Sequence, residues 1–469
     1  LQMLFSLLLL PVVFSSNLVL VSFDGFRYDT LNETIAPTIA NWAKEGVWYT
    51  KGVKSQAVTF TAPNHLSIVT GLYEEQHGII GNVFFDVLRK EFYDIYNLSS
   101  LPGVTELSQR SYWYPSETIW QTNGKAGGKS TVMHWPVGDV HDKETHFVAW
   151  HDHGDLPNWQ KEADGVVDAL QNGSNFVAWY VSEPDHTLHG HGFFHDGRYR
   201  SVMGKLDRLF GYFLDKLKER NLLDTTDIIL TADHGHSEIR SLDWVLCMDR
   251  FIEGRIGVDY QVSDHSVISY TPEHAQSVFD SLSKAVKEKK IPVKVIWTKD
   301  VPSSWHFSHP SRLGQVMVVP DVGADARFMC KWKPDAPFHS STHGQAPEKA
   351  EMRAVLAMAG PSFTKAKNIS TIPENIDLFP LMAYLLHLTP PPHNGSIVPF
   401  VEALSNPPEL NLFDNRDWLS TAISVFLLIL PLFVLTLTLG YLFLRLRQRR
   451  RLPMPLKDND LPAATAPFI

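Results

Sequence analysis

The chain has 469 residues and a formal net charge of −9 at pH 7. This length suits one large α/β enzyme domain, and the acidic balance excludes a protein that binds nucleic-acid polymers broadly. Only two cysteines, Cys247 and Cys330, are present. They exclude a disulfide-rich scaffold and leave open whether the two form one bond.

The first segment predicts secretion. Residues 3–14 are apolar apart from Ser6, and two small serines follow. We interpret residues 1–16 as a signal peptide cleaved near Asn17, although the usual positively charged start is missing. A first buried strand is the alternative interpretation.

Buried strands alternate with helices in the first half of the chain. Nearly continuous apolar runs predict strands buried on both faces at residues 18–23, 176–181 and 227–232. Helical patterns lie between and before the later strands, at residues 37–44, 160–170 and 202–217. This alternation predicts an α/β fold with a mostly parallel central sheet flanked by helices.

A hydroxyl group lies at the predicted start of another helix. Thr61 precedes Pro63 by two residues, and the apolar pattern of a helix follows. Proline is favoured in the first turn of a helix, where unpaired N–H groups also bind phosphate. A threonine is a poor nucleophile unless a base or a metal activates it. Thr61 is therefore a candidate nucleophile that needs an activator from elsewhere in the chain.

The pattern changes from about residue 240 to residue 335. A helix at 272–288 and strands at 293–297 and 315–319 predict a subsidiary lobe there. A further strand at 355–359 and a helix at 376–386 follow, so we expect an extracellular domain over residues 17–395.

The C-terminal segment predicts a membrane anchor. Proline-rich residues 396–417 are typical of a stalk, and the uncharged residues 418–444 are long enough to span a bilayer. Arginines follow at once, which places the tail, 445–469, in the cytoplasm. The sequence thus predicts a single-pass type I protein of the cell membrane. N-glycans are expected at some of its five sequons, Asn32, Asn97, Asn172, Asn368 and Asn394.

Each of the three apolar strands leads into a carboxylate: Asp24, Asp185 and Asp233. Ligands bind at the carboxyl ends of parallel strands, so these groups should meet if their strands are neighbours. Three acidic groups together need compensating cations. Histidines follow nearby at positions 189, 234 and 343. Mixed imidazole and carboxylate ligands favour zinc over manganese or iron, and a metal pair would suit phosphoryl transfer and activate Thr61.

One repeated string complicates this assignment. Asp152-His153-Gly154 has the same residue types as Asp233-His234-Gly235, and it also follows an apolar run. That run is shorter, so spacing alone prefers the second string only weakly.

Several motifs together resemble the ectonucleotide pyrophosphatase/phosphodiesterase family of the alkaline phosphatase superfamily. They are Leu20 to Arg27, Thr61 to His65, Val69 to Tyr73, His77 to Ile79, Glu183 to Asp185, Thr231 to Gly235 and Gly360 to Phe363. The resemblance covers about residues 18–395, and the single-span architecture is similar to the small members of the family. It implies an alkaline-phosphatase-like core and a catalytic phosphodiesterase domain.

The resemblance also implies a bimetallic hydrolase with two Zn²⁺ per chain. One zinc would be held by Asp24, Thr61, Asp233 and His234. The other would be held by Asp185, His189 and His343. Thr61 would attack phosphorus and form a phospho-threonine intermediate, while Asn82 would donate a hydrogen bond to a phosphoryl oxygen.

The sequence departs from the family pattern where substrate is expected to bind. Ala62 replaces an aromatic residue that packs on a nucleobase, and Trp150 lies near another base-stacking position. Tyr180 either lines the substrate pocket or is a plain core aromatic. These departures concern the residues expected to bind the base, so they bear on the substrate class and not on the proposed mechanism.

Two further departures lie among the metal ligands. Leu188 replaces the glycine that usually precedes the second ligand, so His191 is a rival to His189. His236 replaces the methionine that usually follows Asp-His-Gly.

The leading hypothesis is a zinc-dependent ecto-phosphodiesterase that acts on a small-molecule nucleotide or dinucleotide, at a phosphodiester or pyrophosphate bond. A choline phosphodiester or phospholipid phosphodiesterase is one alternative. A catalytically silent cell-surface binding or adhesion protein is another. The scaffold also suits a phosphomonoesterase, whereas a sulfatase is disfavoured because the Cys-x-Pro-x-Arg signature is missing.

Overall fold

A computed structural model describes residues 17–95, 113–114, 116–138, 143, 145–148, 155–330, 340–409 and 417–449. The predicted signal peptide, Asn97, Trp150 and the string at 152–154 lie outside the described residues. The chain forms two units, one ending at Pro407 and one beginning at Pro408.

The helices are α1 Pro37–Glu45, α2 Thr61–Thr70, α3 Glu74–His77, α4 Ile119–Lys125, α5 Leu156–Gln171, α6 Asp185–His191, α7 Arg198–Glu219, α8 Pro272–Lys289, α9 Leu378–Leu385 and α10 Asp417–Arg449. The first nine strands are β1 Asn17–Phe23, β2 Val47–Tyr49, β3 Val83–Asp86, β4 Glu91–Asp94, β5 Ser130–Met133, β6 Thr145–Val148, β7 Phe176–Val181, β8 Thr226–Thr231 and β9 Ser237–Glu238. The other nine are β10 Val245–Cys247, β11 Tyr260–Ser263, β12 Ser266–Ser269, β13 Val293–Trp297, β14 Val316–Pro320, β15 Asp325–Arg327, β16 Ser341–Thr342, β17 Leu356–Ala359 and β18 Lys367–Ile369.

The central sheet has eight strands in the order β18-β2-β17-β8-β1-β7-β5-β6. The five strands from β8 to β6 run parallel, and β17 is antiparallel to both of its neighbours. Strands β1, β7 and β8 are the three apolar runs, and nearly all of their residues are buried, as expected for strands covered on both faces. The prediction of a mostly parallel α/β core is confirmed.

Helices cover both faces of this sheet. Phe23 of β1 packs edge-on against Phe210 of α7, whereas the neighbouring Ser22 donates to His65 of α2 at 2.9 Å. Successive side chains of a strand point to opposite faces. The β1 strand is therefore held between α7 on one side and α2, the helix that begins at Thr61, on the other.

A second, antiparallel sheet lies later in the same unit. Its four strands have the order β11-β12-β14-β13, and it shares a separate apolar core with α8 through residues such as Val267, Leu282 and Val316. Cys247 at the end of β10 forms a disulfide with Cys330, a pairing that the sequence left open.

The folded unit continues past residue 395, where the sequence predicted a stalk. Phe400, Ala403 and Leu404 are buried in the main core. Their burial explains why the unit extends to Pro407. In the second unit, α10 contains the one segment of the described chain that is long and apolar enough to cross a membrane, Ile429–Leu446. Length and composition alone give weak support for an anchor.

Candidate metal centre and active site

The three strand-end carboxylates meet at one edge of the central sheet. Asp24 follows β1 directly, Asp233 is separated from the end of β8 by one residue, and Asp185 begins α6 shortly after β7. Strand β1 lies between β7 and β8 and runs parallel to both. The three carboxylates therefore lie together, as expected, because their strands are neighbours in the sheet.

One candidate metal group consists of Asp24, Asp233 and His234. The Nε2 atom of His234 lies 3.1 Å from Asp233 Oδ2 and 3.8 Å from Asp24 Oδ1. Both of these carboxylate oxygens are buried and accept no hydrogen bond from the residues that the structure describes. Buried charged oxygens without partners are costly, so this group fits a cation. Thr61 Oγ1 lies 3.5 Å from His234 Nε2, on the border of the group.

The surroundings of Asp24 explain why a cation fits there. Burial raises the pKa of Asp24 well above its usual range, and the charges of Asp233 and Asp185 raise it further. The His234 ring is oriented by its Nδ1–H, which donates to the Gly235 carbonyl oxygen at 3.0 Å. That bond leaves Nε2 as the ligand atom, as is usual for histidines that bind metals.

A second candidate group has His234 in common with the first. It consists of Asp185, His234, His236 and His343. Asp185 Oδ1 lies 3.5 Å from His343 Nε2 and 3.4 Å from His189 Nε2. His343 donates from Nδ1 to the Thr59 carbonyl oxygen at 2.7 Å, so its Nε2, which lies 3.1 Å from His189 Nε2, is the candidate ligand atom. The residues predicted for the second ion are thus brought together.

His236 belongs to this group, although in the sequence it stands out only as a departure from the family pattern. Its Nε2 atom lies 2.5 Å from Asp185 Oδ1, and the side chain is fully buried. Its histidine side chain was the only signal in the sequence, because the contact with Asp185 depends on how the segments around these two residues pack. The rival ligand His191 is not in the group, since its ring contacts Asp196 and Arg198.

Thr61 is the first residue of α2, as the sequence predicted. The next backbone N–H, of Ala62, donates to Asn82 Oδ1 at 2.8 Å. Asp264 Oδ2 in turn accepts from the N–H groups of Asn82 and Val83, at 2.7 and 3.1 Å. Among the described residues, the side chain of Asn82 is bonded through Oδ1 alone, and its Nδ2 donor has no hydrogen-bond partner.

Tyr180 lies on β7 and reaches the site through its hydroxyl. It is 6% exposed, and its hydroxyl donates to Asp24 Oδ2 at 2.6 Å. This burial favours the interpretation of Tyr180 as a core aromatic, and a role in lining the substrate pocket stays a prediction. Ala62 is also fully buried, so the position after Thr61 presents no surface to a base.

The fold and this cluster define a class: hydrolases of the alkaline phosphatase superfamily that work with bound metal ions. The family described as "Type I phosphodiesterase / nucleotide pyrophosphatase" matches residues 18–346. The chain belongs to this family and is a phosphodiesterase hydrolase.

Curated relatives agree. The chain is 30% identical to the Xenopus laevis bis(5'-adenosyl)-triphosphatase enpp4 over 387 residues, which cover 81% of this chain and 80% of that protein. It is 30% identical to human ectonucleotide pyrophosphatase/phosphodiesterase family member 5, covering 81% and 76%. Among solved structures, murine member 5, as an inactive threonine-to-alanine variant in complex with AMP, superposes with a TM-score of 0.72. The two share 26% identity over 83% of this chain and 100% of that one.

Proposed function

We propose that this chain is a zinc-dependent ecto-phosphodiesterase that cleaves nucleotide or dinucleotide phosphodiester and pyrophosphate bonds through a phospho-threonine intermediate. The observation that carries the proposal is the position of Thr61, at the start of α2 and 3.5 Å from His234 Nε2. A hydroxyl that lies on a phosphate-binding helix terminus and beside a metal group has the surroundings that a nucleophile needs.

Seven residues would hold two zinc ions. The first ion would be bound by Asp24, Thr61, Asp233 and His234, and the second by Asp185, His189 and His343. Zinc supplies positive charge that lowers the pKa of a bound hydroxyl or water and polarises a phosphoryl oxygen. The orphaned oxygens Asp24 Oδ1 and Asp233 Oδ2 support this assignment.

The protein residues divide the chemistry between them. Thr61 Oγ1, after its proton is released to solvent, forms a bond to phosphorus while the bond from phosphorus to the leaving oxygen breaks. The leaving group departs with the electron pair of that bond and takes a proton from water where its basicity requires one. Asn82 Nδ2 donates to a non-bridging oxygen, where charge develops. Water then breaks the Thr61–phosphate ester, releases the monophosphate and restores the hydroxyl.

Nucleotides are the substrate class that the relatives favour. One relative is described as a bis(5'-adenosyl)-triphosphatase, and the murine structure contains AMP. Because Ala62 is buried, the base must be held by residues other than the one that follows the nucleophile.

We also propose a type I topology with an extracellular catalytic domain. The apolar segment in α10 supports an anchor, and the sequons Asn172, Asn368 and Asn394 are exposed. Asn32 is different, because its Oδ1 accepts from two backbone N–H groups and its Nδ2 donates to Thr30. We therefore expect glycans at the three exposed sites and not at Asn32.

A substrate panel tests the proposed activity. The detergent-solubilised full chain is assayed with the nitrophenyl ester of thymidine monophosphate, nitrophenyl phosphorylcholine and a diadenosine polyphosphate. We expect preference for the nucleotides, loss of turnover with a chelator, and recovery on adding zinc. Thr61→Ala should reduce kcat by at least about 10³-fold, since a nucleophile and its activator act as a unit, whereas Thr61→Ser should retain measurable turnover.

Other outcomes would change the assignment. Preference for the choline ester would move the chain to the lipid-type phosphodiesterases. Binding of a nucleotide without turnover, unaffected by Thr61→Ala, would instead indicate a catalytically silent surface protein.

A further inference from the structure

We propose that His236 is a fourth protein ligand of the metal at Asp185, so that this ion is held by Asp185, His189, His236 and His343. The inference rests on the proposed metal site and concerns a residue that differs from the family pattern. It follows from the arrangement of the rings, the hydrogen bonds of Ser341 and the space left by Gly25.

Three imidazole rings surround Asp185 almost symmetrically. The ring centres of His189, His236 and His343 are separated by 5.0, 5.0 and 5.1 Å. The Nε2 atoms of all three lie within 3.5 Å of Asp185 Oδ1. In this triangle His236 occupies a position equivalent to those of the two expected histidine ligands.

The hydrogen bonds of Ser341 indicate which nitrogen of His236 carries a proton. Ser341 Oγ donates its single proton to the Leu188 carbonyl oxygen at 3.1 Å. Its contact with His236 Nδ1, also at 3.1 Å, therefore requires Nδ1–H to be the donor. This is the form in which a histidine binds metal through Nε2, with the other nitrogen held by a second group.

The contact between Asp185 and His236 then needs a cation. The lone pair on Nε2 faces a carboxylate oxygen only 2.5 Å away, and two acceptors repel each other unless a proton or a metal ion is shared. Two ligands of a tetrahedral zinc are about 3.3 Å apart, given metal–ligand bonds of about 2.0–2.1 Å. The pairs of Asp185 with His189 and His343 already have this spacing, and the pair with His236 must open by roughly 1 Å.

The backbone leaves space for this ring. Gly25 has φ +68°, and a Cβ there would lie 2.8 Å from Cδ2 of His236 and 3.0 Å from Cβ of Asp185. A side chain at this position would thus push both groups out of place. The imidazole of His236 is therefore accommodated by the turn that also carries Asp24.

Four protein ligands have a consequence for the ion. Catalytic zinc sites usually keep one position open, whereas sites with four protein ligands are closed. Only one ring of the set is substantially exposed, that of His189, whose side chain is 40% exposed. His189 would therefore be the ligand free to move away from a bound ion, and His236, which is buried, would keep holding it.

Cobalt substitution tests the proposal by counting ligands. The full chain in detergent is loaded with Co²⁺, and exchangeable imidazole N–H signals shifted by the ion are recorded by proton NMR. We expect His236→Met to lose one such signal relative to the wild type and to change the visible cobalt absorption. His191→Met is the matched control and should leave both spectra unchanged, since His191 contacts Asp196 and Arg198 instead.

The outcomes separate this inference from the metal site itself. If His236→Met retains every shifted signal and the same absorption, His236 only holds Asp185 and the inference is overturned. If the wild type shows no shifted signal, the metal site and the proposed function fail as well. Should His236→Met not fold, Ser341→Ala replaces it: ligation predicts a shifted or broadened N–H signal, and a spectrum identical to the wild type overturns the proposal.

Discussion

At the scale of single residues, the Tyr180 hydroxyl controls the orientation of a proposed ligand. It donates to Asp24 Oδ2 at 2.6 Å, while Asp24 Oδ1 has no hydrogen-bond partner in the described part of the chain. The bond therefore fixes which oxygen of the carboxylate faces His234. Groups that orient metal ligands commonly change metal affinity by about 10–100-fold when they are removed.

We accordingly expect Tyr180→Phe to weaken zinc binding by about 10–100-fold while the chain stays folded. The measurement is competition for zinc with a chelating dye. Tyr49→Phe is the matched control, because the Tyr49 hydroxyl donates to the Pro399 carbonyl oxygen at 2.8 Å and not to a proposed metal ligand. Equal zinc affinity in the two variants would show that Tyr180 does not orient Asp24.

At the scale of elements, the segment that precedes β3 is held by a residue from the second sheet. Asp264, in the turn between β11 and β12, accepts from the N–H groups of Asn82 and Val83. Asn82 in turn contacts the start of α2 through Ala62. Asp264 is therefore a positioning residue, acting through Asn82 on the proposed phosphate site.

Asp264→Ala should lower kcat by up to about 10²-fold and change KM little. The variant displaces Asn82, and loss of one donor to the developing charge costs about 10²–10³ in kcat. Asp264→Asn keeps an oxygen acceptor for both N–H groups and should restore most of the activity. Steady-state kinetics of both variants with a nitrophenyl nucleotide ester gives the comparison. If the asparagine variant is as slow as the alanine variant, the charge of Asp264 matters and positioning is not its role.

Elements differ in how well the sequence predicts them. The strands at 18–23, 176–181 and 227–232 are confirmed within one residue, since an apolar run buried on both faces has clear ends. The helix expected from 160 begins at Leu156 because Asp155 caps it, its side chain accepting from Asn158 N–H. The order of strands in a sheet depends on contacts between residues far apart in the chain. The position of β17, antiparallel between β2 and β8, could therefore not be predicted.

The same distinction holds within the site. Asp24, Asp185 and Asp233 could be grouped from sequence because strand ends are recognisable. The contact of His236 with Asp185 depends on how two loops pack, and the role of Tyr180 depends on which face of β7 meets α2. Neither follows from spacing along the chain.

At the scale of the whole molecule, the disulfide closes a loop of 83 residues around the second sheet. Closing a loop of this length lowers the entropy of the unfolded chain, and removing a native disulfide typically costs about 2–5 kcal/mol. We expect Cys247→Ser/Cys330→Ser to lower the midpoint of thermal unfolding without changing the zinc content. An unchanged midpoint would mean that the second sheet is stable without the covalent link.

The proposed orientation of the chain in a membrane rests on the charge beside the apolar segment. Arginines at 445, 447, 449, 450 and 451 come directly after the uncharged residues 418–444, and such clusters remain on the cytoplasmic side. An epitope added after Ile469 should therefore be stained by antibody only in permeabilised cells. Deglycosylation of intact cells should at the same time reduce the mass of the protein.

Replacing the five arginines by serine removes the positive charge that keeps this end in the cytoplasm. Some molecules should then insert in the opposite orientation. Those molecules would be stained without permeabilisation and would carry no glycan, because their sequons face the cytoplasm. Replacing five surface lysines of α8 and its flanks instead, including Lys284 and Lys287, should have no such effect, since charge far from the span contributes little to orientation. Staining of the wild-type epitope on intact cells would contradict the type I topology.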